Sequence, residues 1–174
     1  RIVTDAYEPG STFKILTLAS ALDSGTTNVN STFFCNGGYI VNGERIKCWK
    51  HAGHGSQDLT RATENSCNCC FMQLALDMGA EEFYNYLYAF GLGQKTCSVF
   101  DGESTGIVTP EKYITDNDLA RIGFGQSIAV TPIQLVSAVA AAINGGELYE
   151  PYIVQKIVAS DGTVTEQADP QPVR

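Results

Sequence analysis

The chain has 174 residues, of which 44% are hydrophobic and 17% charged, the balance of one soluble domain with a substantial core. Its formal net charge of −8 excludes a nucleic-acid binder and a protein held to anionic lipid by its own surface. The charge is spread along the chain, with no acidic tail, and no apolar run is long enough to cross a bilayer. The chain opens on Arg1-Ile2-Val3 and closes on Gln171-Pro172-Val173-Arg174, and both ends read as positions inside a longer protein.

The first helix is expected to begin near Ser11, after the Pro9-Gly10 turn, with an apolar stripe of Ile15, Leu18, Ala19 and Leu22, and to stop at Gly25. Residues 31–50 read as a hairpin, with aromatic and β-branched residues around Gly37-Gly38 and Asn42-Gly43. A helical stretch from about Leu59 to Phe90 follows, broken once at Gly79 and ended by Gly91. Its apolar faces are Phe71, Leu74, Ala75 and Met78, then Phe83, Leu87 and Phe90. Tyr84, Tyr86 and Tyr88 cannot share one face of that helix, so some must be exposed. Residues 92–115 are rich in Gly, Ser and Thr and read as loop, and Asp101 and Glu103 within them are given no catalytic part. The clearest helix starts after Thr131, an N-cap with Pro132 at the first position and Gln134 completing a capping box. Its stripe is Leu135, Val136, Val139, Ala140 and Ile143, and Gly145-Gly146 ends it. Residues 152–166 read as two strands around Asp161-Gly162. Helices with a few strands, and no βαβ alternation, give an α+β class.

Ser11-Thr12-Phe13-Lys14 sets a hydroxyl and an amine one helical turn apart on one face. Burial against the apolar stripe would lower the lysine pKa, and a neutral lysine can take the proton of an attacking serine. Ser11 also lies at a helix N-terminus, which favours developing negative charge. Alone, the pair reads more readily as an N-capping serine followed by a surface lysine. Fifty-five residues on comes Ser66-Cys67-Asn68, the only Ser-x-Asn in the chain.

Taken together, these segments resemble the class B penicillin-binding proteins, peptidoglycan D,D-transpeptidases. Tyr7 through Lys14 is similar to their nucleophile motif, and Ser66-Cys67-Asn68 to their second motif. Phe124-Gly125-Gln126-Ser127 with Val130-Thr131-Pro132-Ile133-Gln134-Leu135 resembles their Phe-Gly-Gln-Gly and Thr-Pro-Leu-Gln-Leu segments. Asn144-Gly145-Gly146 through Pro151 is similar to a further stretch, so the likeness runs in order over nearly the whole chain.

The resemblance implies the penicillin-binding protein/serine β-lactamase-like fold. It gives Ser11 as nucleophile, Lys14 as base, Ser66 as proton relay and Asn68 as the amide that holds Lys14 or substrate. Peptidoglycan stem peptides and β-lactams would be the ligands, with no cofactor for the chemistry. The parent would be membrane-anchored at the extracytoplasmic face of the bacterial cell membrane, with cell-wall synthase partners. The family's third motif, Lys-Thr-Gly, is absent. Lys95-Thr96-Cys97 lacks the glycine and falls before the Gly-Gln-Ser segment. The expectation is thus residues 1–174 as a partial transpeptidase domain: mostly the helical lobe with a small β-hairpin, most of the central sheet missing, and inactive alone. A β-lactam sensor domain without turnover is the alternative. A β-lactamase is disfavoured because no glutamate stands out as a deacylating base.

Six cysteines are many for this length. Cys35 and Cys48 flank the hairpin, His51 and His54 follow, and Cys67 sits inside the second motif. If Ser66 and Asn68 face the site, Cys67 must point the other way, toward Cys35 and Cys48. Cys35, Cys48, Cys67 and His54, which lies in the Gly53-His54-Gly55 turn, make a candidate structural zinc set. A Cys35–Cys48 disulfide and plain buried thiols stay open beside it. Cys69 and Cys70 read as packing residues and Cys97 as a loop thiol. Trp49, the only tryptophan, reads as the cap of a small apolar cluster, with a groove-lining role as its rival.

Overall fold

The computed structural model describes residues 1–96 and 101–174; Cys97 and the end of the Lys95-Thr96-Cys97 segment lie outside them. A 3-10 turn over Gly10–Phe13 runs into helix α1 (Lys14–Asp23). Four short strands follow: β1 (Thr32–Cys35), β2 (Gly38–Val41), β3 (Glu44–Lys47) and β4 (Gly55–Asp58). Next come α2 (Leu59–Glu64), α3 (Asn68–Met78), α4 (Ala80–Ala89), α5 (Asp116–Ile122) and α6 (Pro132–Ile143). A terminal hairpin of β5 (Lys156–Val158) and β6 (Val164–Gln167) lies exposed at the surface. The class is α+β, and among the described residues every sheet is an antiparallel pair: β1 with β4, β2 with β3, β5 with β6.

Helix α3 is the hub. It packs against α1, α4 and α5, and strands β1 and β2 close over its N-terminal end. Phe71, Leu74 and Ala75 are buried as their spacing requires, and Cys69 and Cys70 are buried with them. One apolar cluster joins the strands to α3 through Phe33, Val41, Ile46, Leu59 and Phe71. A second joins α1, α4, α5 and α6 through Phe13, Leu16, Phe83, Leu87, Leu119 and Leu135.

Several elements depart from the sequence expectation. The buried face of α1 is Leu16, Thr17, Ser20 and Ala21, whereas Ile15 and Leu22 are exposed. The two hydroxyls can be buried because Thr17 Oγ1 donates to the Gly123 carbonyl and Ser20 Oγ to the Leu16 carbonyl. In α6 the buried positions are Gln134, Leu135, Ala138 and Ala141, while Val136 and Ile143 face solvent. Residues 31–50 hold one true hairpin, β2–β3 around Asn42-Gly43; β1 instead takes its partner from beyond it, in β4.

The stretch from Leu59 to Phe90 breaks at Gly79 and also at residues 65–67, where Ser66 has φ +46°. That left-handed backbone is uncommon for a residue with a Cβ. Helix α5 is an element that the sequence expectation lacks. It is fixed by a Thr115–Asp118 capping box and the buried Leu119, Ala120 and Ile122. The Thr131–Gln134 box forms as expected, and the Gln134 amide also donates to the carbonyls of Gln94 and Thr105.

Candidate active site

Ser11 sits exposed on the 3-10 turn, and Lys14 opens α1. Backbone contact locks this turn in place. The Gly10 N–H donates to the Gly125 carbonyl at 2.9 Å. Gly125, at φ +83°, lies so close that a Cβ on it would stand 2.0 Å from the Gly10 carbonyl oxygen. Tyr7 and Val130 exchange backbone hydrogen bonds at 3.0 and 3.1 Å, and the Ser127 N–H donates to Glu8 Oε1 at 2.9 Å. Phe124-Gly125-Gln126-Ser127 is thereby held against the segment that carries Ser11.

Lys14 is only 4% exposed. Its Nζ lies 3.3 Å from Ser11 Oγ, 2.9 Å from Ser66 Oγ, 2.8 Å from the Ser66 carbonyl oxygen and 2.7 Å from Asn68 Oδ1, four oxygens for at most three N–H groups. The amine also lies 5.3 Å from the centre of the Phe71 ring. Burial lowers its pKa from 10.5 to about 8, against the opposing pull of the nearby Cys48, Cys67 and Cys70 thiols. The structure therefore brings together all four residues singled out by sequence. It places one amine, whose pKa is lowered far enough that a neutral fraction exists near physiological pH, between two hydroxyls. Such an amine can take a proton from one hydroxyl while the other passes one on.

Ser66 and Asn68 take their places from the α2–α3 break. Ser66 projects from the left-handed link and Asn68 is the first residue of α3. Between them Cys67, the N-cap of α3, turns inward and is fully buried. There it meets Cys35 from the end of β1, Cys48 just after β3 and His54 just before β4. The four ligand atoms all lie within 4.8 Å of one another. His51, the other histidine of the chain, is exposed and outside the cluster. The five described cysteines, Cys35, Cys48, Cys67, Cys69 and Cys70, are unbridged.

Trp49 is a site residue that the sequence reading undervalued. It is 59% exposed and does not cap an apolar cluster. Its Nε1 donates to the carbonyls of Asn65 and Ser66, both at 3.1 Å, and its ring meets the His54 ring edge-on. A groove of about 460 Å³ opens beside Asn68, lined by Lys47, Trp49, Arg121, Phe124 and Gln126 among others. The only local signal was the position of Trp49 next to Cys48. Thr96, by contrast, lies in a loop where its N–H and hydroxyl both donate to Glu103 Oε1.

The penicillin-binding protein transpeptidase domain matches residues 1–174, the entire chain. The chain belongs to the penicillin-binding protein transpeptidase family. Stage V sporulation protein D of Bacillus subtilis is 46% identical over 155 residues, covering 88% of this chain and 24% of that protein. The peptidoglycan D,D-transpeptidase MrdA of Salmonella typhimurium LT2 is 32% identical over 165 residues, covering 88% of this chain and 26% of its own length. The crystal structure of penicillin-binding protein 3 from Mycobacterium tuberculosis, complexed with aztreonam, superposes with a TM-score of 0.87 at 28% identity. That match covers 99% of this chain and 39% of the other. This transpeptidase chain thus spans about a quarter of the length of the curated relatives it matches. Among its described residues no helix is long and apolar enough to cross a membrane.

Proposed function

We propose that this chain carries the nucleophile and relay half of a peptidoglycan D,D-transpeptidase. Ser11 Oγ attacks the carbonyl of the penultimate D-alanine of a stem peptide. Neutral Lys14 takes the Ser11 proton, and Ser66 hands a proton to the departing D-alanine amine. An ester on Ser11 results, and the amine of a second stem peptide attacks it to form the cross-link and free the serine. A β-lactam enters the same path, because attack on its amide opens the ring and leaves it attached to Ser11.

The observation that carries this reading is the position of Lys14 Nζ, within hydrogen-bond reach of Ser11 Oγ, Ser66 Oγ and Asn68 Oδ1 at once. An N-capping serine and a surface lysine would have no reason to converge on a half-buried Ser-x-Asn segment. The relatives named for D,D-transpeptidation and the aztreonam complex support the substrate class. By the same likeness, the site works at the extracytoplasmic face of the membrane, in a protein anchored there beside synthase partners.

The 174 residues contain no Lys-Thr-Gly. The chain alone should therefore acylate poorly, because a second backbone amide of the oxyanion site would come from the strand that bears that motif. The test is fluorescent-penicillin labelling of the full-length protein, followed by a cross-linking assay on stem-peptide substrate. Labelling and cross-linking that both vanish in Ser11→Ala support the proposal. Labelling of the wild type without any cross-linking would make the protein a β-lactam sensor, and rapid release of the label would make it a β-lactamase.

A further inference from the structure

We propose that Cys35, Cys48, His54 and Cys67 bind one zinc(II) ion, which braces the Ser66–Asn68 segment from behind. The bracing role rests on the transpeptidase reading above; the metal site does not.

The donor set is three thiols and one imidazole, a combination suited to a closed tetrahedral zinc site. Four separate pieces of chain deliver it: the ends of β1 and β3, the entry to β4 and the N-cap of α3. Cys48 Sγ lies 3.8 Å from His54 Nδ1. With zinc–sulfur bonds of about 2.3 Å and zinc–nitrogen bonds of about 2.0 Å, ligand atoms around a tetrahedral ion stand about 3.5–3.8 Å apart. The observed spread, up to 4.8 Å, is within about 1 Å of that figure.

The surroundings look built to hold ligands. Gly37 and Gly53 let the two ligand loops cross backbone to backbone. A Cβ on Gly37 would stand 2.0 Å from the His51 carbonyl oxygen, and one on Gly53 2.3 Å from that of Cys35. Backbone N–H groups of Gly37 and His54 face Cys35 Sγ, and the Cys70 N–H faces Cys67 Sγ, the kind of outer contact that orients a metal-ligating sulfur. The His54 ring is held edge-on against Trp49 with Nδ1 turned toward Cys48 Sγ, the orientation a ligand through that nitrogen needs.

A disulfide would use two sulfurs and leave a buried thiol and His54 idle. Plain thiol packing would leave all four groups without a purpose. Cys69 is buried nearby but stands outside the ligand group. Binding replaces three thiol protons, released to solvent, with one zinc ion.

Cys67 connects this site to the chemistry. It lies between Ser66, held at φ +46°, and Asn68, and both of those side chains touch Lys14 Nζ. Trp49 makes a second connection, from the His54 ring to the Ser66 carbonyl. Pinning Cys67 and His54 therefore limits where Ser66 can go.

The test uses the full-length protein, purified without chelators and analysed for metal, for disulfides by peptide mapping, and for β-lactam acylation rate. About one equivalent of zinc is expected in the wild type, with loss in Cys67→Ser and His54→Ala and retention in Cys69→Ser. Since a ligand variant could fail to fold, the wild type is also loaded with cobalt(II), which should show the intense visible bands of a tetrahedral thiolate site. Less than about a third of an equivalent, no such bands, or a disulfide among Cys35, Cys48 and Cys67 in freshly purified protein would overturn the metal site. Stripping zinc should slow acylation at least about tenfold, reversed by added zinc. Zinc bound with no effect on acylation would overturn the bracing role alone. Loss of the transpeptidase reading would instead show as labelling that survives Ser11→Ala, with the zinc content untouched.

Discussion

Lys14 Nζ and Asn68 Oδ1 lie 2.7 Å apart, although their residues are 54 positions apart in sequence. That contact ties the first turn of α1 to the first residue of α3, and the packing of α1 on α3 brings the two ends together. Because the amine is buried there, its proton affinity becomes a property of the fold.

Replacing Lys14 tests the base directly. Lys14→Ala removes the proton acceptor, and Lys14→Arg keeps the charge but cannot become neutral at accessible pH. Both should lower the second-order rate of β-lactam acylation by about 10²- to 10⁴-fold. Stopped-flow measurement with a chromogenic β-lactam gives the rate. An arginine variant near wild-type rate would mean that position 14 supplies charge and no base.

Acylation should also depend on pH in one direction. Burial holds the Lys14 pKa at about 8. Below that value the amine is mostly protonated and cannot accept from Ser11; above it the neutral fraction grows. The acylation rate should therefore rise through about pH 8 and level off beyond it. A rate constant across that range, or a fall, would contradict the assignment of Lys14 as base.

Gly125→Ala should harm both stability and chemistry. At φ +83° any Cβ is strained, and here it would strike the Gly10 carbonyl next to the nucleophile turn. A loss of about 2–4 kcal/mol is expected, read as a lower denaturant midpoint. The acylation rate should fall in the molecules that remain folded, because the Ser11 turn must move aside.

Trp49→Phe keeps the ring but deletes the donor to the Asn65 and Ser66 carbonyls. The site is exposed, so the stability change should be only about 0.5–1.5 kcal/mol. The acylation rate should fall severalfold. The larger effect on rate than on stability, measured by thermal unfolding beside labelling kinetics, marks Trp49 as a positioning residue.

How much of this could be read from the residues depended on how local each cause was. Ser66-Cys67-Asn68 made the inward turn of Cys67 legible, because its neighbours had to face the other way. The Thr131–Gln134 box and the Asn42-Gly43 turn were legible for the same reason, since each is complete within a few residues. The buried face of α1 was not. Thr17 is buried by a bond to Gly123, which lies far along the chain, and nothing nearby announces it. Pairing of β1 with β4 is likewise a long-range choice, and so the true hairpin is smaller than residues 31–50. Helix α5 has no counterpart among the expected elements, because a helix of seven residues carries too few apolar positions to show a period. The left-handed Ser66 broke a helix that propensity would continue, and it did so where the site needs a side chain turned toward Lys14.

The most direct measurement of the central claim is the location of the β-lactam adduct. Full-length protein is acylated with penicillin, digested with trypsin and mapped by mass spectrometry. The penicilloyl mass should sit on the Ile2–Lys14 peptide, at Ser11, and be absent from Ser11→Ala protein. An adduct on any other residue, or one that persists after that substitution, would contradict the assignment of Ser11 as nucleophile.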